Sequence, residues 1–333
     1  MLQSASFAAE MRAMTEPPRT PRVQPLDLAR ATPYPIGDRE SLVTLRGFGR
    51  PVSPGASTGE FLRSLPDFLG ARALRDLARA IARARRHARP VVFAMGAHVV
   101  KVGCGPLLID LIEREVVTAI AVNGAFAIHD YEIALVGETS EEVAKTIRDG
   151  TFGWVRETGE AFARAARRGR EEAIGLGRAL GLEAMALPNA RMSVLATCAR
   201  LGVPCTVHVA IGTDIVHMHP AVSGADLGAA SHIDFRIAAS VVMDLDGGVW
   251  ANVGSAVVLP EVFLKCVSIA RNLGKPLDDV VAANMDMMRH YRPAANVLDR
   301  PVRVGIEVTG HHEIMIPLLR VAVLDALAEG NGA

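Results

Sequence analysis

The order of apolar runs predicts an α/β fold, a Rossmann-like parallel sheet with helices on both faces. Three observations carry this reading. Short continuous apolar runs such as Val91–Met95 and Val117–Val122 have the composition of strands buried on both faces. Helical segments separate them, and strands alternating with helices favour a parallel sheet. Glycines and polar residues gather where each expected strand ends, the rim at which such sheets bind ligands.

The elements follow in order. Residues 1–40 hold Pro17, Pro18, Pro21, Pro25, Pro33 and Pro35, which lack the donor that helices and inner strands need. They read as an extended arm with a mobile start, leaving 41–330 as one α/β domain. A helix runs over 71–87, with Leu74, Leu77, Ala78 and Ile81 on one stripe. After Val91–Met95, the loop 96–105 leads to a helix at Pro106–Arg114, with proline in its first turn. Val117–Val122 follows, and Asn123-Gly124-Ala125 turns into a helix that carries His129, Asp130 and Glu132. Thr139/Ser140 reads as a capped helix start, and a long helix is expected over Glu157–Leu180. The second half repeats the alternation: helix Ala190–Leu201, strand Cys205–Ile211, helix Ala225–Asp244, strand Gly248–Val253, helix Glu261–Asn272, strands Val280–Asn284 and Val302–Val308, and helix Glu313–Ala328.

Composition bounds the function. The chain has 333 residues, 36 Lys+Arg against 36 Asp+Glu, and is 50% hydrophobic. The balanced charge excludes a strongly basic nucleic-acid binder, and the apolar half excludes global disorder. An aromatic share of 5% speaks against a base-stacking platform. Cys104, Cys198, Cys205 and Cys266 form no CxxC pair and read as buried free thiols. The N-terminus lacks an apolar signal core, and no run is long and apolar enough to span a membrane. The expectation is a cytoplasmic protein with no nucleic-acid or membrane partner. Only four lysines occur, Lys101, Lys145, Lys265 and Lys275, so lysine chemistry has few candidates.

Four segments carry candidate chemistry. G-A-H-V-V-K-V-G-C-G (Gly96–Gly105), with Ala97, Lys101 and Gly103, joins a strand to a helix. Backbone N–H groups at such a helix start suit a phosphate, although neither GxGxxG nor a P-loop is present. In Gly212–Pro220, His217 and His219 point the same way on an extended segment. With Asp214, His232 and Asp234 they could hold a metal, or shuttle protons near neutral pH. In Thr309–Glu313, one of His311 and His312 could face the cleft. In Asn123–Glu132, Asn123 and Gly124 could bind a ribose or phosphate, and His129 and Asp130 could polarise a substrate. No GxSxG elbow or Ser/His/Asp triad is evident.

Taken together, the segments resemble the deoxyhypusine synthase family over roughly Gly96–Leu327. GAHVVKVGCGPLLIDLIEREVVTAIAVNGAFAIHDYEIAL resembles that family's Ser-rich loop, helix, strand and Thr-Ala-Gly-Gly-x-Glu-Glu-Asp segment. Asp214 in GTD sits like the acid of its Thr-Asp-Gly-Ser loop. NVGSAVVLPEVFLKCVSIARNLG resembles its Gly-Gly-Gly-Val-x-Lys-His-His segment, and VRVGIEVTGHHEIMIPLLRVAV its closing strand and helix. The resemblance implies an NAD-binding sheet and a homo-oligomer, dimer or tetramer. It also implies a transferase or oxidoreductase that oxidises an amine and passes a group through an imine on lysine. The implied cofactor positions are Ala97, Lys101, Asn123, Gly124, Asp214, Gly254, Ser255, Gly310 and His311. The departures are specific. Arg289–Val302, where the imine lysine would lie, contains no lysine, and a guanidinium is no amine nucleophile. Pro260 replaces an expected histidine, and Ile128-His129-Asp130 replaces Glu-Glu-Asp.

The reading is therefore an NAD-dependent enzyme acting on a small substrate, an amine or amino acid, and not deoxyhypusine synthesis itself. The candidate catalytic residues are His129, Asp130, His217, His219 and His312. Two alternatives stand beside it. One is a metal-dependent hydrolase or lyase built on His217 and His219. The other is a non-catalytic ligand-sensing member of the fold.

Overall fold

The computed structural model describes residues 23 and 25–329. The chain divides into two units, residues 1–45 and 46–333. In the first, residues 25–45 are exposed throughout and include the 3₁₀ turn Ile36–Asp38. The expectation of a mobile start falls on residues outside those described.

The second unit is built on a six-stranded, all-parallel sheet in the order β3-β2-β1-β4-β5-β6. The strands are β1 (Val91–Met95), β2 (Ala119–Asn123), β3 (Cys205–His208), β4 (Val249–Val253), β5 (Val281–Asp286) and β6 (Val304–Thr309). The helices are α1 (Thr58–Ser64), α2 (Leu69–Arg86), α3 (His98–Lys101), α4 (Gly105–Glu113), α5 (Gly124–Val136) and α6 (Val143–Asp149). After them come α7 (Arg156–Glu171), α8 (Gly175–Ala184), α9 (Val194–Leu201), α10 (Gly224–Met243), α11 (Val258–Asn272) and α12 (His312–Glu329). The expected fold is thus observed.

Side chains alternate along the strands and feed two cores. Val91, Phe93 and Met95 of β1 point into the larger one, with Leu74, Leu108 and Phe162 from the helices. Val92 and Ala94 point the other way, with Trp250, Phe263 and Val242. This two-faced burial is why β1 reads as an unbroken apolar run. All four cysteines are free and buried.

Several boundaries differ from the sequence expectation, each for a local reason. The helix expected over 157–180 is two helices, because Ala173 adopts φ +54° between them and Gly175 φ +82° where the second begins. β3 ends at His208 rather than Ile211: among the described residues its one sheet neighbour, β2, ends at Asn123, the residue opposite His208. Ser193 caps a fresh helix start inside the expected Ala190–Leu201 helix, accepting the Ala196 N–H. Thr139 and Ser140 cap nothing. Ser140 sits at φ +73°, and α6 begins at Val143 under the side chain of Glu142.

The chain reverses its winding direction between β1 and β4, the switch point at which such sheets bind ligands. There the two strand ends touch: a Cβ on Gly96 would lie 2.1 Å from the carbonyl oxygen of Gly254. Both partners are backbone, so neither can swing away. Gly96→Ala is expected to cost about 2 kcal/mol, as overpacking does, read as a lowered denaturant midpoint with an unchanged m-value.

Candidate functional site

A cavity of about 730 Å³ is lined by the segments that follow β1, β2 and β3. One stripe of α5 forms its floor: Ala125, Ile128, His129, Glu132, Leu135 and Val136 recur at helical spacing. The opposite stripe, Phe126, Ala127, Tyr131 and Ala134, is buried in the core. The segment between α5 and α7 contributes Thr139 and Phe152 to the walls; α7 adds Glu157 and Thr158. Lys101, at the end of α3, and Thr213-Asp214-Ile215, after β3, complete the lining.

The wall is largely apolar, and its charged residues are mostly acidic. Glu132, Glu138, Glu141, Glu157 and Asp214 line the cavity, against a single lysine, Lys101. Two opposite unit charges 4 Å apart gain about 4 kcal/mol at an effective dielectric near 20. Like charges lose the same. The lining therefore attracts an ammonium or guanidinium and repels a polyanion from all but the Lys101 side.

Inside lies a hydrogen-bonded group. Thr139 Oγ1 donates to Glu132 Oε2 at 2.5 Å and stands 2.6 Å from His129 Nδ1. Thr158 Oγ1 donates to Glu132 Oε1 at 3.1 Å. Burial, with the nearby Lys101 charge, pushes His129 down to about 4, so its ring is neutral at pH 7. Asp214 forms the second polar feature. Burial pushes its carboxyl up to about 6, against the pull of the Ala125 N–H. Its Oδ2 is buried without a hydrogen-bond partner. His217 Nδ1 accepts the Gly212 N–H at 3.0 Å, which leaves its ring proton on Nε2, 3.9 Å from Asp214 Oδ2.

The structure sorts the sequence candidates. Lys101, His129 and Asp214 meet at the cavity, and His217 stands behind Asp214. Asp130 does not: it is buried, accepts from Ser193 Oγ at 2.5 Å and from the Val194 and Leu195 N–H groups, and so anchors the start of α9. His219 does not either. It packs on α7 where Gly159 leaves room, and its Nδ1 accepts the Ala221 N–H. His217 and His219 fail to align because Ile215–Met218 is a 3₁₀ turn, not an extended segment. His232 is exposed, and Asp234 is spent on backbone N–H groups. Among the described residues, no three His, Cys, Asp or Glu side chains are placed to hold a metal ion.

The remaining candidates sit at helix starts and turns. Asn123 caps α5 through the Phe126 N–H, and Gly124 lies against the Asp214 carboxylate. The start of α5 is therefore filled by the chain's own anion instead of standing open for a phosphate. Ser255 accepts the Leu259 N–H at the start of α11. Ala97 packs on the core, and Gly103 makes a turn at φ +80°. His312 is fully buried; its ring packs on Gly254 and edge-on to His98, with centroids 5.6 Å apart. His311, beyond Gly310, is exposed. Sequence reading missed Glu132, Thr139 and Thr158 as site residues. The one available signal was that Glu132 follows His129 by three residues on a helix.

No family model and no curated protein matches the chain by sequence. Solved structures do. AgrE, in a ternary complex with ornithine and NAD+, matches 78% of this chain at 16% identity with a TM-score of 0.53. This chain spans only 34% of AgrE's length. A conserved LOR/SDH protein from Methanococcus maripaludis S2 matches 82% of this chain and 71% of its own, at 16% identity and a TM-score of 0.48. A protein assigned as a deoxyhypusine synthase from Entamoeba histolytica matches 83% of this chain and 96% of its own, at 11% identity and a TM-score of 0.47. At these identities the likeness to AgrE shows the fold: an α/β unit with a parallel sheet flanked by helices. No described helix is long and apolar enough to cross a membrane.

Proposed function

We propose that this chain is a nicotinamide-dinucleotide-dependent enzyme acting on a small substrate that carries a basic amine. The observation that carries the proposal is the cavity lining, with five carboxylates facing one lysine in about 730 Å³. A volume in this range suits a small molecule. The likeness to AgrE, which was crystallised with ornithine and NAD+, supports the same reading.

The residues present fit both ligands in different places. Glu132, Glu138, Glu141 and Glu157 suit the amine. Lys101 suits a phosphate, and the Asp214 carboxylate, in the cavity wall, suits a sugar hydroxyl. Both of those lie at strand ends, where dinucleotides bind in this class of sheet. A bound nicotinamide supplies hydride acceptance from the carbon that bears the amine. The chain's own work is to hold the amine among the carboxylates, to keep the reacting carbon away from bulk water under Phe152 and Val155, and to take a proton at His129. A neutral imidazole within hydrogen-bond reach of the substrate can do this. The hydrolase reading loses its basis because His217 and His219 do not converge.

Calorimetric titration tests the proposal. Linear diamines and basic amino acids are expected to bind at least tenfold more tightly than their side-chain N-acetylated forms, and NAD+ to bind with or before them. Equal affinity for charged and acetylated ligands would remove the amine from the cavity.

A further inference from the structure

We propose that Thr139 is a positioning residue that fixes His129 as a proton acceptor at Nε2, and that this arrangement is made only while the strap 137–155 lies over the cavity. The inference deepens the reading of His129 as the proton-accepting group.

The argument begins with proton counting. A threonine hydroxyl has one proton, and a carboxylate only accepts. Thr139 Oγ1 donates that proton to Glu132 Oε2. Its remaining lone pairs face His129 Nδ1 at 2.6 Å, so the ring must supply the hydrogen there. Nδ1 therefore carries the proton, and Nε2 carries the lone pair. Glu132 cannot do this alone, because its Oε2 is 3.8 Å from Nδ1, beyond hydrogen-bond range. Thr158 holds the other carboxylate oxygen and keeps Glu132 turned toward Thr139. The order Glu132–Thr139–His129 thus sets the tautomer through a hydroxyl, where other sites use a direct carboxylate.

The second half concerns where Thr139 sits. His129 and Glu132 lie on α5, but Thr139 lies on the strap that leaves α5 and returns to α7. The strap is bounded by left-handed glycines, Gly137 at φ +78° and Gly150 and Gly153 at φ +79° and +76°. Between them α6 buries no residue and shows Val143 and Ile147 to solvent. Little apolar burial therefore holds it down, and elements of this kind open at low cost. Lifting the strap withdraws the Thr139 oxygen from Nδ1 and uncovers the cavity in one motion. The ring then loses the partner that selects its tautomer, so covering the substrate and arming the base become a single event.

Ring nitrogen NMR of the 15N-labelled full chain at pH 7 reads the tautomer without any substrate, with His129→Gln to assign the signals. The wild type is expected to show His129 in the Nδ1–H form. Thr139→Val keeps the shape and removes the hydroxyl. It is expected to shift His129 toward the Nε2–H form, and Thr139→Ser is expected to restore the wild-type pattern. Amides of Val143–Ile147 should exchange faster in Thr139→Val than in Thr139→Ser. An Nε2–H ring in the wild type, or an unchanged pattern in Thr139→Val, overturns the positioning role; unchanged exchange overturns its coupling to the strap. Thr139 is partly exposed, so both variants are expected to fold, and circular dichroism checks this. Failure of the amine reading would show instead as absent ligand binding with the tautomer pattern intact, so the two failures are distinct.

Discussion

Asp234→Ala is expected to destabilise the protein by about 4 kcal/mol, measured by denaturant unfolding. Asp234 lies on α10 and is fully buried. Its Oδ2 accepts the N–H groups of Gly177 and Val207, both at 2.8 Å. Gly177 belongs to the first turn of α8, whose N–H groups have no partner within the helix. Val207 belongs to β3, the last strand of the sheet, whose outer edge has no neighbouring strand among the described residues. Ser231, one turn earlier on α10, completes the cover: its hydroxyl donates to the Val207 carbonyl and accepts the Val209 N–H. One face of α10 thus takes the place of a seventh strand and seals an edge that would otherwise invite pairing with another chain. Alanine leaves the two N–H groups buried and unpaired, at roughly 1–3 kcal/mol each, partly offset by no longer burying an acid. Aggregation should rise with the loss, because the β3 edge is exposed whenever α10 shifts.

The sign of the pH effect follows from the same burial. Desolvation pushes Asp234 up to about 7 from 3.8. The folded state therefore holds the proton across a window in which the unfolded chain has released it, and stability from this group falls as pH rises from about 4 to 7. Asp234→Asn, which cannot ionise, should show a smaller decline over that window. An equal decline in both proteins would mean that Asp234 is not the group responsible.

These details mark the limit of what the chain shows before folding. The sheet was legible because VVFAM and its counterparts are buried on both faces, which leaves an uninterrupted apolar run between glycines. Asp214 stood out as a candidate for the same reason, a polar residue just beyond such a run, whereas Lys101 and His129 were picked out from the loop after β1 and the helix after β2. Asp130 and Asp234 look equally chemical in sequence but point into the protein. α5 is apolar on both stripes, so periodicity cannot say that His129 and Glu132 face the cavity while Asp130 faces α9. Thr139 and Thr158 meet Glu132 only because the strap doubles back over α5, which no local pattern records. Gly96 and Gly254 were read as belonging to candidate phosphate and cofactor segments, but Gly96 presses on Gly254 and Gly254 on His312, so their side of the rim is filled by the protein itself.

Asp214→Ala should weaken NAD+ binding about 30-fold at pH 7.5, the scale of one lost hydrogen bond to a charged group at roughly 2 kcal/mol. Asp214 lines the cavity beside Lys101, and a sugar hydroxyl bound there would donate to its carboxylate. Its carboxyl titrates at about 6, where burial has pushed it. Acidification from pH 7.5 to 5 should therefore weaken binding in the wild type, with the bend near pH 6. His129 stays neutral until about pH 4 and adds no bend in that interval. Asp214→Asn should bind weakly at both ends of the range and lose the bend, since an amide does not titrate. Its stability should not fall. A raised acid is a net burden on the folded state above its own titration point, so removing the charge relieves the burial at pH 7.5. Lower affinity at equal or greater thermal stability separates a ligand contact from a structural one, because a residue that only supported the fold would lose both together. Unchanged NAD+ affinity in Asp214→Ala would place the dinucleotide elsewhere on the rim, and would leave Asp214 to the amine beside the four glutamates.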